Sequence, residues 1–100
     1  YALTGDQFDG PTAHHWGLVN QLTPQGGALK AALALALRIS ANAPLAVAMS
    51  KRIITESETW EVSEQWSKQT PLVDSIIASA DAHEGSLAFT EKRAPEWQGK

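Results

Sequence analysis

The residues best suited to chemistry lie near the end of the 100-residue sequence. Gly85, Phe89 and Lys92 recur at helical spacing, so a helix carries them on one face, while the other large apolar residue of the stretch, Leu87, points elsewhere. A flat ring beside a cation suits a nucleotide-like ligand. The same pattern also serves plain packing, with Phe89 against a neighbour, Gly85 permitting close approach and Lys92 snorkelling to water.

No other constellation offers a catalytic group. Adjacent His14 and His15 point about 100° apart on a helix and cannot clamp one metal as an i, i+4 pair would. Gly26-Gly27 lacks the lysine and the spacing of a phosphate loop and reads as a turn. His83 has no context that would make it a general base, and the serines form no Gly-x-Ser-x-Gly elbow. Glu56, Glu58, Glu61 and Glu64 read as a solvated acidic face around a helix start. Cysteine is absent, which excludes a disulfide framework, a thiolate nucleophile and a sulfur-based zinc site. The expectation is that these residues hold no catalytic side chain and no metal, and that the segment alone is inactive.

The elements that would position Phe89 and Lys92 are helical. Asp9-Gly10-Pro11 opens a short helix that Gly17 ends, and Leu18 to Leu22 reads as one short extended segment, a strand. Ala28 to Asn42 is the clearest helix, rich in alanine and leucine. At about 100° per residue, Leu29, Leu33, Leu35, Leu37 and Ile39 sweep an arc of roughly 200°, which calls for cover on more than one side. So wide an arc points to further chain or a partner subunit. Pro44 stops this helix and starts another, with Leu45, Met49 and Ile53 on one stripe and Val47 and Ile54 on a second. A third helix is expected from about Thr59, kinked or split at Pro71, and Asp81 with Glu84 has the spacing of a capping box for the last, which runs to about Arg93. The tail from Ala94 to Lys100 reads as irregular. Trp60, Trp66 and Trp97 mark a core or an interface in the half with the weakest aliphatic pattern.

Apolar residues make up 43% of the chain and charged residues 19%, with a formal net charge of -3, so the composition is globular. The eight Lys and Arg are scattered, which makes nucleic acid an unexpected partner, and no apolar run approaches the roughly 20 residues that span a bilayer. The lack of cysteine suits a cytoplasmic protein. Tyr1 opens the sequence without a signal-peptide pattern and Met49 is the only methionine, so a segment of a longer protein is the expectation.

Several short motifs share one order with a known family. Thr4-Gly5-Asp6, Gly17-Leu18-Val19-Asn20, Asn42-Ala43-Pro44-Leu45-Ala46 with Lys51, Asp81 with Glu84-Gly85, and Ala88-Phe89-Thr90-Glu91-Lys92-Arg93-Ala94-Pro95 together resemble the end of the enoyl-CoA hydratase/isomerase, or crotonase, family. The closing run is the most specific. Its departure is at His14, His15 and Trp16, where the family more often has aliphatic residues.

The resemblance implies a mainly α segment of a ββα-spiral protein more than twice as long, with residues 1–27 closing the core and 28–100 forming a helical trimerisation region. It implies acyl-CoA as substrate, no cofactor beyond the coenzyme A of that substrate, and a homo-oligomer, a trimer or a dimer of trimers. In the family, two backbone amides form an oxyanion hole and two glutamates add water across the enoyl double bond, all at positions upstream of Tyr1. Phe89 and Lys92 match the phenylalanine and lysine that a neighbouring subunit sets against the adenine and phosphate end of coenzyme A. The competing expectation is a free-standing helical interaction module without catalysis.

Overall fold

A computed structural model describes residues 1–100, which form five α-helices and one 3-10 turn. The helices are α1 (Gly10–His15), α2 (Ala28–Ser40), α3 (Pro44–Ser57), α4 (Gln65–Ile77) and α5 (Ala80–Glu91), with a 3-10 turn at Val62–Glu64. Two compact units, Tyr1–Ala36 and Leu37–Lys100, divide the chain within α2. No single helix is long and apolar enough to cross a membrane.

In the first unit the rings of Tyr1, Phe8 and Trp16 gather, with centroids 4.4 Å apart for Tyr1–Phe8 and 4.8 Å for Tyr1–Trp16. The Asp9 carboxylate caps α1 by accepting the Thr12 amide at 2.8 Å, and Thr12, through its side chain first and its amide second, holds the acid below its ordinary value. Gly17 ends α1 at φ +75°, with its amide donating to the His14 carbonyl and the Leu18 amide to Ala13. That is the paired bonding of a Schellman turn with glycine at its left-handed position. The expected strand at Leu18–Leu22 does not form: Leu18–Asn20 is a run of bends, because an extended segment needs a ladder partner and this chain provides none. Leu22 instead folds back on α1, where its Cδ2 would lie 3.3 Å from a Cβ at Gly10.

Helix α2 follows the sequence pattern, but its arc is left largely uncovered. None of its residues is buried, and Leu29 and Leu37 are 71% and 70% exposed. Its last carbonyls, of Arg38 and Ile39, accept from the Asn42 amide side chain, which ends it two residues before Asn42 rather than at it.

The second unit is built on α3 packed against α4. The two stripes of α3 separate as the sequence indicates. Met49 and Ile53 of the first stripe, with Ala46 rather than Leu45, face Val73, Ile76 and Ile77 of α4 around a hollow of about 140 Å³. On the other side, Val47 and Ile54 join Ile39 and Lys51 around an open apolar hollow of about 520 Å³. Helix α4 begins at Gln65, later than the sequence suggests, and Pro71 stands inside it without splitting it. Proline removes one backbone bond, to the Ser67 carbonyl, but Ser67 is exposed to water. Packing of Val73 and Ile76 on α3 keeps the following turns helical. Glu56 and Glu64 of the acidic run pair with Arg52 and Lys68 at 2.7 and 2.6 Å, each worth about 0.3–0.5 kcal/mol as an exposed i, i+4 pair.

Candidate functional site

Asp81 and Glu84 share a spacing of three on α5, but they do not form a capping box. The cap is Ser79, whose Oγ accepts the Ala82 amide at 3.1 Å. Both carboxylates are turned instead onto the tail, residues that lie far ahead in the chain and that local spacing does not reveal.

Asp81 is the largest fully buried side chain in the protein, 2% exposed, and both its oxygens are occupied: Oδ1 accepts the Gln98 amide at 2.7 Å and Oδ2 the Gly99 amide at 2.9 Å. The Asp81 amide in turn donates to the Lys100 carbonyl at 3.2 Å. Glu84 accepts a fork from Arg93, Nη1 to Oε1 at 2.6 Å and Nη2 to Oε2 at 3.0 Å, and the Glu96 amide at 2.8 Å. Trp97 donates its indole N–H to the Ala41 carbonyl at 2.8 Å, and its ring lies over Gly85, where an added Cβ would stand 3.2 Å from Cη2. The tail is irregular in dihedral terms, as expected, yet it is a strap with a fixed course. From Arg93 it runs back along α5 past Glu84 and Gly85 to Asp81.

This course changes the face drawn from the sequence. Gly85 is not available beside Phe89, because Trp97 covers it. Lys92 has left the helix: it stands at φ 55°, the only non-glycine residue with positive φ. Its amide donates to the Phe89 carbonyl and that of Arg93 to Ala88, the same Schellman turn that ends α1. Phe89 remains, 86% exposed, in the last turn of α5. Thus Phe89 and Lys92 both reach solvent at the C-terminal end of α5, but not as one helical row. His14, His15 and His83 are exposed as well.

The Arg93 fork, followed by the Glu96 amide, holds the Glu84 acid well down, at about 2. Its value in the unfolded chain is near 4.5. Between the two the unfolded chain binds more protons than the folded one, so stability falls as pH falls. The strap's contribution from Glu84 is therefore complete above about pH 4.5 and lost as pH approaches 2. A pH series of unfolding midpoints should show this loss in the protein and not in Glu84→Gln, whose side chain does not titrate; equal slopes in both would remove Glu84 as the cause.

The sequence pattern of the enoyl-CoA hydratase/isomerase family matches residues 1–100. Over 98 residues the chain is 42% identical to an enoyl-CoA hydratase of Mycobacterium tuberculosis, covering 98% of this chain and 37% of the relative. A carnitinyl-CoA dehydratase of Escherichia coli is 36% identical over 105 aligned residues, 98% of this chain and 39% of its own. Among solved structures, an enoyl-CoA hydratase from Mycobacterium marinum superposes with a TM-score of 0.94 at 50% identity, and one from Mycobacterium tuberculosis with 0.95 at 48%; each covers 99% of this chain and 39% of the other. The chain thus spans under two fifths of the length of these relatives. With the match running from first residue to last and the helices superposing throughout, the chain belongs to the enoyl-CoA hydratase/isomerase family and makes up a helical segment of the crotonase fold.

Proposed function

We propose that this chain is the C-terminal part of an acyl-CoA-processing enzyme, an enoyl-CoA hydratase or isomerase, whose catalytic groups lie on other segments. Its own work is assembly and coenzyme A contact. Residues 1–27 close the core and 28–100 form the helical assembly region, in a trimer or a dimer of trimers. The exposure of Phe89 carries the coenzyme A reading: a ring 86% in water at the end of a helix, followed by a lysine in a strained turn, is poor packing and good stacking geometry. The assembly reading rests on α2, whose leucines are all exposed and none buried.

In the full-length protein, Phe89→Ala should raise KM for an acyl-CoA about tenfold, in the range expected for loss of one base–aromatic stack, while kcat changes less than twofold. The contact would lie far from the reacting carbons, so turnover is spared. An unchanged KM would remove Phe89 from the ligand.

A further inference from the structure

A lysine in the left-handed region is strained relative to its ordinary backbone, so the turn at Lys92 must be held from outside. The next residue supplies the hold. Arg93 is gripped by the Glu84 fork and by Glu91, whose Oε2 accepts from Nε at 2.6 Å, and its Nη1 also donates to the Ala94 carbonyl at 3.1 Å. Glu84 then takes the Glu96 amide with the same Oε1, so one carboxylate fixes the chain at two points beyond Lys92. Glu84 lies five positions before Phe89, about 140° around the helix, so the strap is drawn to the side away from the ring.

We infer that Glu84 and Arg93 are positioning residues: their fork sets the left-handed turn that presents Lys92 next to Phe89. The inference rests on the coenzyme A reading above for the ligand, and on this chain alone for the turn. In this reading neither residue contacts the ligand. Their influence passes through the backbone of Lys92, since the Arg93 amide closes the turn on the Ala88 carbonyl at 3.1 Å while its side chain is tied to Glu84.

The test uses the full-length protein with Glu84→Gln, which keeps the shape and removes the charge, and Arg93→Lys, which keeps the charge and cannot fork. Hydrogen exchange at the Lys92 and Arg93 amides should quicken about tenfold in both variants, with the middle of α5 unchanged. KM for an acyl-CoA should rise three- to tenfold, much more than kcat falls, and that rise should vanish when Lys92→Ala is already present. Unchanged exchange at Lys92 and Arg93 overturns the positioning role whatever the kinetics. So does faster exchange with KM unmoved in a protein where Phe89→Ala raises it, and so does an equal rise in KM with or without Lys92. If Phe89→Ala alone leaves KM unmoved, the coenzyme A reading has failed instead, a result that involves neither Glu84 nor Arg93.

Discussion

Asp81→Asn is expected to destabilise the fold by about 2–3 kcal/mol, the range for losing hydrogen bonds to a buried charged acceptor. The carboxylate accepts one backbone amide on each oxygen, at 2.7 and 2.9 Å, and is 2% exposed. Asparagine keeps the shape but offers one acceptor. Its NH₂ group would face the N–H of Gln98 or Gly99, leaving a donor against a donor with little access for water. Asp81 also stands in the first turn of α5, where a negative charge is favoured by the helix dipole, and this too is lost. Urea unfolding of the full-length protein measures the cost as a lower midpoint with an unchanged slope. A midpoint shift worth less than about 0.5 kcal/mol would mean that the strap is held by Trp97 and Glu84 and that Asp81 only fills space.

Lys92→Gly should act in opposite directions on stability and on binding. The turn ending α5 has the same pair of backbone bonds as the turn ending α1, where the left-handed residue is Gly17. Glycine at position 92 would adopt φ 55° without the Cβ conflict, a gain of about 1 kcal/mol. The same change removes the cation proposed to meet phosphate. A melting temperature raised by a few degrees together with a KM for acyl-CoA raised severalfold is the expected result. A lowered melting temperature would show that the lysine stem contributes packing greater than the strain, and a KM left alone would take Lys92 out of the ligand contact.

The helices were legible because they rest on local chemistry. Alanine and leucine across α2, Pro44 at the head of α3, the Asp9 cap and the Gly17 stop each act within a few residues, and the structure places those helices accordingly. Where local reasoning overreached, a distant or missing partner was the cause. The extended segment at Leu18–Leu22 has no strand to pair with, Pro71 is tolerated because α4 leans on α3, and the acids at Asp81 and Glu84 answer residues nine to eighteen positions away.

By itself, then, the sequence determined the helical class, most helix limits, the two faces of α3, the family, and Phe89 with Lys92 as the residues to watch. Only the tertiary structure decided how those two are presented. Helical periodicity assigns a residue to a face as long as the helix lasts, and α5 ends at Glu91. Beyond it the course of the chain is set by contacts remote in sequence: a buried aspartate, a forked arginine and an indole bonded to Ala41, which cover Gly85, turn Lys92 out of the helix and leave Phe89 in water.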